Sequence, residues 1–94
     1  MLTATSAFET PNASRYIAQL CKHFAHKVEV SYDETRGEAA LPTGKAVMEA
    51  KEGGLHFEVS AETPEALARG KFIIEDHIVR FAFREKLEKL DWSA

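Results

Sequence analysis

The sequence contains one cysteine, Cys21, so it cannot form an internal disulfide and does not point to an oxidising compartment. It has no excess of basic residues: 12 Lys and Arg stand against 15 Asp and Glu, for a net charge of −3. Binding to nucleic acid or to an anionic membrane is therefore not expected. Residues 1–10 lack the basic and apolar regions of a signal peptide, and no run approaches a membrane span of roughly 20 apolar residues. These absences predict a cytoplasmic protein.

The composition is that of a folded domain, since 45 % of the 94 residues are hydrophobic and 29 % are charged. A chain of this length is expected to form a single domain over residues 1–94, with burial sufficient for one thin core. The sequence shows no repeat, linker or low-complexity tract. The fold must therefore be read from the spacing of apolar residues.

That spacing predicts seven elements in the order β-α-β-β-β-β-α. Thr10-Pro11 and Thr63-Pro64 are each typical of a helix start, because threonine caps the first turn and proline fits the first helical position. Gly53-Gly54 predicts a two-residue hairpin turn, which would place Glu49 opposite Glu58. The predicted strands cover residues 2–8, 28–32, 37–41, 45–51 and 55–61, and the predicted helices cover residues 11–26 and 63–89.

These elements predict an α+β fold, a two-layer sandwich in which two helices cover one face of an antiparallel sheet. The same order of elements occurs in the TATA-binding-protein-like and helix-grip folds. That likeness is an analogy of topology and carries no function. The first helix should bury one stripe, which consists of Ala13, Tyr16, Ile17, Leu20, Cys21 and Phe24.

The second predicted helix carries two apolar stripes, one more than a sheet can cover. The first stripe, expected to lie on the sheet, consists of Leu67, Ile74, Ile78 and Phe81. The second stripe needs the first helix or another subunit as its cover, so we expect a homodimer or a protein partner on this helix. The candidate interface residues are Phe72, Val79, Phe83 and Leu90.

The candidate metal ligands are Cys21, His23, His26 and His77. His23 and His26 lie three residues apart and could share a metal ion, which His77 could join if the helices pack side by side. A zinc site needs three or four convergent ligands, and this spacing does not by itself supply them. The favoured alternative is that Cys21 is a core residue and the histidines lie at the core boundary. No cofactor is predicted, and a metal ion is the one candidate.

A second candidate is an anion-binding or ligand-binding edge formed by His77, Arg80 and Arg84. Asp76 is spaced to pair with Arg80 four residues later, which leaves Arg84 without a predicted partner. Guanidinium groups suit carboxylate or phosphate, although a carboxylate of the chain itself could equally be the partner. No catalytic residue is predicted, because no nucleophile turn is present and Cys21 lies in a helix interior, where a thiol pKa is not lowered.

Two stretches carry a resemblance to a known family: ETPNASRYIAQLCKHFAHKVEVSYDETRG and HIVRFAFREKLEKLDW. They resemble the uncharacterised bacterial family known as domain of unknown function 2218 over nearly the whole chain, and CKHFAHK and RFAFRE are the most specific parts. The resemblance implies a small bacterial cytoplasmic protein, with a hint of a link to iron and siderophore uptake. It supplies no catalytic residue.

Three hypotheses for the function follow from the residues and the resemblance. The first is a non-enzymatic binding or interaction module that works through a helix-side pocket or a subunit interface. The second is a protein that binds a metal or a metal chelate through His23, His26 and His77. The third is a small enzyme of unknown reaction.

Overall fold

The computed structural model describes residues 1–93 and has the predicted order of strands and helices. Helices α1 (Ala13–Phe24) and α2 (Pro64–Phe81) pack side by side on one face of a five-stranded antiparallel sheet, and a short 3₁₀ turn (Phe83–Glu85) follows α2. The predicted two-layer α+β fold is confirmed. The strands are β1 (Leu2–Glu9), β2 (Val30–Tyr32), β3 (Arg36–Leu41), β4 (Gly44–Lys51) and β5 (Gly54–Ala61).

The spatial order of the strands is β1-β5-β4-β3-β2. The chain therefore leaves one edge of the sheet at β1, crosses it as α1, and enters the opposite edge at β2. The meander from β2 to β5 then returns to β1, where Leu2 pairs with Ala61 and Glu9 with Gly54. Helix α1 covers β2, β3 and β4, while α2 covers β5 and β1.

The core lies between the helices and the sheet. Every residue of the predicted α1 stripe is buried, and α2 buries Ile74 and Ile78 while Leu67 and Phe81 are half-buried. Alternation along the strands brings Met48, Leu55, Phe57 and Val59 to the same side. Gly70 marks the close approach of α2 to the sheet, since an added Cβ would lie 2.8 Å from Cγ1 of Val59 and 3.0 Å from Oγ1 of Thr43.

The hairpin between β4 and β5 turns one residue earlier than predicted. Glu52 and Gly53 form the turn with φ angles of 52° and 74°, and both lie in the left-handed region that type I′ turns require. Glu49 consequently lies opposite His56, and Glu58 lies opposite Val47, so the predicted Glu49–Glu58 pairing is wrong. Gly54 serves the packing of the strand and not the turn, because an added Cβ there would lie 2.5 Å from the Phe8 carbonyl oxygen of β1.

The helix ends also differ from the prediction. Helix α1 begins at Ala13, and the side chain of Thr10 does not cap it but accepts a hydrogen bond from the Asn12 amide at 3.1 Å. The predicted cap of α2 is confirmed, since the Thr63 hydroxyl accepts from the Ala66 amide at 3.1 Å. Helix α2 ends at Phe81 instead of near residue 89.

After the 3₁₀ turn the chain reverses at Lys86, which has a φ of 59°, and residues 87–93 return toward β1. Thr5 and Ser93 exchange two backbone hydrogen bonds of 2.7 and 2.8 Å. The indole of Trp92 donates to Glu75 at 2.9 Å, and its ring centre lies 6.5 Å from that of Phe57. The segment thus contacts α2 at Glu75, which is not one of the predicted interface residues. Among residues 1–93, neither helix combines the length and apolarity required to cross a bilayer.

Candidate functional site

Helices α1 and α2 run antiparallel, and the segment around α1 meets the segment around α2 at two places. The first contact joins the start of α1 to the 3₁₀ turn after α2 through Thr10, Asn12, Tyr16 and Glu85, which we call the Glu85 cluster. The second contact joins the end of α1 to the middle of α2 through His23 and His77. The two contacts differ in chemistry.

One carboxylate organises the Glu85 cluster. Glu85 accepts hydrogen bonds from Thr10 Oγ1 at 2.9 Å, from Asn12 Nδ2 at 3.1 Å and from the Tyr16 hydroxyl. Burial and the adjacent carboxylate raise the pKa of Tyr16 to about 12. The hydrogen bond from Tyr16, with those from Asn12 and Thr10, lowers the pKa of Glu85. All three donors of the cluster thus have an acceptor, and the Glu85 carboxylate is ionised at neutral pH.

The second contact opens into a cavity of about 480 Å³, which we call the histidine groove. The end of α1, the following loop, α2 and the turn between β3 and β4 all contribute to it. Most of its wall is apolar, and its polar groups are imidazoles and one ammonium. The residues lining it are His23, Phe24, His26, Lys27, Val28, Leu41, Pro42, Ile73 and His77.

The two central imidazoles lie against each other, with ring centres 4.7 Å apart and ring planes inclined by 51°. His77 Nδ1 donates to the Ile73 carbonyl at 2.6 Å, which assigns the proton of that bond to Nδ1 and leaves Nε2 for other contacts. Phe24 packs edge-on against both histidines, with centroid distances of 5.8 Å to His23 and 5.1 Å to His77. The backbone bond and the aromatic contacts therefore fix the orientation of His77.

The pKa of His23 is lowered, first by partial desolvation against α2 and then by neighbouring positive groups. Those groups come from both helices and from the loop after α1. They are His77, His26, Lys27 and Arg80. His23 is therefore a neutral imidazole held in a positive environment at neutral pH.

The structure separates the predicted metal ligands. It brings His23 and His77 together and places His26 after the end of α1, at the edge of the groove. Cys21 is fully buried and faces the sheet, where an added Cβ on Gly37 would lie 2.9 Å from its Sγ, and burial raises the pKa of its thiol. In the described part of the chain, no three His, Cys, Asp or Glu side chains are grouped to hold a metal ion.

The predicted ligand edge of His77, Arg80 and Arg84 is also divided. Arg80 pairs with Asp76 at 3.1 Å, four residues apart as the spacing indicated. Arg84 lies in the 3₁₀ turn, with its guanidinium carbon 5.7 Å from the ring centre of Phe83. His77 faces α1 while Arg84 lies against Phe83, so these two side chains have different neighbours.

The candidate interface is only partly exposed. Phe72 is 67 % exposed and Phe83 is 66 % exposed, while Val79 is half-buried. Leu90 is 5 % exposed and belongs to the core, because the chain has left the helix before reaching it. Leu90 is therefore not available to a partner.

Sequence reasoning missed the Glu85 cluster and five of the groove residues. Tyr16 and Glu85 are 69 residues apart, and nothing local to either residue indicates that they meet. The missed groove residues lie in the loop after α1, at the end of β3 and the turn that follows it, and in α2; they are Lys27, Val28, Leu41, Pro42 and Ile73. The one available signal was the grouping of histidine and lysine at the end of the first helix.

Comparison with known proteins identifies the family. The family model described as "Uncharacterized protein conserved in bacteria (DUF2218)" matches residues 5–93. The chain belongs to this family. A solved structure, "NMR structure of PA4090 from Pseudomonas aeruginosa", is similar at a TM-score of 0.82 and 30 % sequence identity, over 99 % of this chain and 96 % of that chain. No curated protein matches the chain.

The resemblance to the DUF2218 family that the sequence indicated is confirmed. The two stretches that carried it meet in space at both helix contacts. ETPNASRY and RFAFRE supply the Glu85 cluster, while CKHFAHK and the start of HIVRFAFRE supply the histidines of the groove. One half of each stretch thus serves a satisfied polar contact, and the other half lines a cavity.

Proposed function

We propose that the protein is a non-enzymatic binding module whose ligand occupies the histidine groove. The observation that carries this proposal is a cavity of about 480 Å³ with apolar walls and a few convergent polar groups. Sites for small molecules in proteins commonly have volumes of about 300–1,000 Å³ and this kind of lining. The ordered pair of His23 and His77 supplies the polar groups.

A larger concavity of about 1010 Å³ lies at the end of the sheet near the turn between β3 and β4, but its chemistry is less suited to a ligand. It is broad and lined by both acidic and basic side chains, including Glu58 and Glu62. Two of its cations, Arg36 and Lys45, already pair with Glu38. We therefore favour the smaller groove, in which the cations have no such partner among the lining residues.

The lining of the groove favours binding over catalysis. The nine residues include no serine, cysteine, aspartate or glutamate, so neither imidazole has a nucleophile beside it to activate. Cys21 lies elsewhere, and its raised pKa keeps the thiol protonated. An imidazole pair of this kind can donate and accept hydrogen bonds to a ligand without any covalent step.

The proposal is tested by titrating the protein with 2-naphthoate and 2-naphthamide, two probes of similar shape that differ in charge. We expect saturable binding of at least one probe. Val28→Phe fills part of the groove and should abolish that binding, whereas Val47→Phe, the same change on the opposite face of the sheet, should leave it intact. The proposal is overturned if neither probe binds saturably, or if the two variants bind alike.

A second candidate function is metal binding by His23 and His77. It is favoured by the 4.7 Å separation of the rings and by the bond from His77 Nδ1 to the Ile73 carbonyl, since metal-ligating histidines commonly donate their other nitrogen in this way. Titration with zinc and with ferrous iron, followed by histidine ring resonances, should then shift both rings. Absence of a saturable shift, or an unchanged shift in His23→Gln, would remove this candidate.

Homodimerisation through α2 stays a separate proposal. Phe72 and Phe83 are both exposed, and Val79 lies between them along the chain. Large apolar side chains grouped on a surface often mark a contact with another protein. Sedimentation at micromolar concentration should show self-association that Phe72→Ser reduces. A strict monomer removes this proposal without affecting the groove.

Two further expectations from the sequence and the family resemblance stay predictions. They are the cytoplasmic location and the link to iron and siderophore uptake. The features of the groove that support ligand binding are not specific to iron. Binding of an iron chelate that depends on His23 would be the observation to seek for that link.

A further inference from the structure

We infer that the ligand of the histidine groove is a small aromatic carboxylate, with its ring against the apolar wall and its anion beside His23 and Lys27. This inference rests on the proposed function and adds the chemical class of the ligand. It is carried by the charges around the groove and by the division of its lining into an apolar part and a cationic part.

The groove lining carries one formal positive charge, on Lys27, and no negative one, although the whole chain has a net charge of −3 with its histidines neutral. Helix α1 and the loop after it contribute His23, His26 and Lys27, and α2 contributes His77, with no acidic residue among the nine that line the cavity. The turn between β3 and β4 contributes only the apolar Leu41 and Pro42 to the lining. Basic side chains of this acidic protein thus lie together around one apolar cavity.

The neighbouring turn of α2 does not bring an unpaired negative charge to the groove. Asp76 is the acidic residue next to His77, and its carboxylate is already paired with Arg80 at 3.1 Å. Arg80 still contributes to the positive environment of His23, as do His26, Lys27 and His77. An anion entering the groove at neutral pH would therefore meet the Lys27 ammonium in the loop after α1, with Arg80 of α2 nearby, and this attraction depends on ionic strength.

The apolar part of the lining sets the shape of the rest of the ligand. Phe24 is buried against the histidines, and Val28 and Ile73 are half-buried at the wall. A cavity of about 480 Å³ accommodates a one-ring or two-ring aromatic body. Contact between such a body and a protonated imidazole is also favourable. A carboxylate on a flat apolar ring matches both parts of the lining.

Binding of a carboxylate in the groove should be coupled to protonation of His23. In the free protein the positive neighbours of His23 disfavour its imidazolium form and lower its pKa. A bound carboxylate would favour that form, so the pKa of His23 should rise on binding and the affinity should rise as the pH falls. A neutral ligand of the same shape would show neither effect.

The experiment compares 2-naphthoate with 2-naphthamide at pH 6 and pH 8. We expect the carboxylate to bind at least about five-fold tighter than the amide at pH 6, the equivalent of roughly one exposed ion pair. The preference should shrink at pH 8 and at high salt. Histidine ring resonances should show that the carboxylate raises the pKa of His23 and that the amide does not.

Two variants locate the charge that is recognised. Lys27→Gln and His23→Gln should each weaken binding of 2-naphthoate several-fold and weaken binding of 2-naphthamide by a smaller factor. Lys22→Gln is the matched control, because Lys22 is an exposed lysine of α1 that does not line the groove. Its affinity for both probes should equal that of the unsubstituted protein.

The possible outcomes distinguish the proposal that the groove binds a ligand from the inference that the ligand is a carboxylate. Equal binding of both probes, or tighter binding of the amide, overturns the carboxylate ligand and leaves the groove as a binding site. Loss of naphthoate affinity in Lys22→Gln as large as that in Lys27→Gln also overturns it, because the attraction would then not be local. Binding of neither probe overturns this inference together with the proposed function.

Discussion

The Glu85 cluster and the histidine groove each join the segment around α1 to the segment around α2, and they are built in opposite ways. In the Glu85 cluster, three side-chain donors meet one carboxylate, and each donor is occupied. In the histidine groove, imidazoles and an ammonium face an apolar cavity with no carboxylate in its lining. The first contact is complete within the chain, whereas the second leaves hydrogen-bonding and charged groups available.

This difference indicates which contact stabilises the fold and which is free for a ligand. Breaking a satisfied polar contact leaves buried donors without a partner, and that is costly. Changing a solvent-exposed side chain at the edge of a cavity has little effect on folding. Stability should therefore depend on the Glu85 cluster, and binding should depend on the groove.

The largest effect on stability is expected from Glu85→Ala. The substitution removes the acceptor for Thr10, Asn12 and Tyr16, of which Thr10 and Tyr16 are buried. We expect it to lower the free energy of unfolding by about 3 kcal/mol, as measured by urea denaturation. Binding of the naphthalene probes by the protein that remains folded should be unchanged.

Glu88→Ala is the control for that measurement, because Glu88 is an exposed glutamate in the segment after the 3₁₀ turn. Its effect should stay within about 0.5 kcal/mol. An equal loss of stability in both variants would contradict a specific role for Glu85.

A smaller effect is expected from Tyr16→Phe, which removes one donor and keeps the packing of the ring. We expect a loss of about 1 kcal/mol in the free energy of unfolding near neutral pH. The pKa of Glu85 should rise toward its ordinary value, because the hydrogen bond from Tyr16 is the largest cause of its depression. Urea denaturation over a pH series measures both effects.

The pH dependence has a defined sign at each end of that series. Since folding lowers the pKa of Glu85, its stabilisation is present above the pKa of the unfolded chain and is lost as the pH falls through the folded-state value. Since folding raises the pKa of Tyr16 from 10.0 to about 12, its stabilisation is present below pH 10.0 and is lost as the pH rises toward 12. Tyr16→Phe should reduce the loss of unfolding free energy at acidic pH and remove the loss at alkaline pH. A pH profile identical to that of the unsubstituted protein would contradict this account.

The smallest effect on stability is expected from His23→Gln in the groove. His23 is exposed, and the structure gives it aromatic contacts but no hydrogen bond within the described residues. We expect the free energy of unfolding to change by no more than about 0.5 kcal/mol. A loss as large as that of Glu85→Ala would mean that the histidine pair stabilises the fold, and the contrast between the two contacts would fail.

The fold could be predicted from the sequence because local patterns determine it. The alternation along the strands, the stripe of α1 and the Thr63-Pro64 helix start all depend on neighbouring residues. The errors arose where a distant contact decides the local structure. The glycine at position 54 serves the close approach of β5 to the Phe8 carbonyl of β1, and Thr10 donates to Glu85 instead of capping α1.

The candidate site could be predicted only in part, for the same physical reason. His23 and His77 were recognisable as candidates, but their separation depends on how two helices pack. The burial of Leu90 depends on the reversal at Lys86, which the apolar spacing of residues 63–89 does not reveal. Cys21 was recognisable as a core residue from its place in the α1 stripe.

The most direct test of the contrast between the two contacts is a titration of the ¹⁵N-labelled protein with 2-naphthoate, followed by amide chemical shifts. We predict saturable shifts at residues 23–28, 41–44 and 73–77 around the groove, with residues 10–16 and 83–85 of the Glu85 cluster nearly unmoved. Absence of saturable shifts, or shifts centred on the Glu85 cluster, would contradict the account.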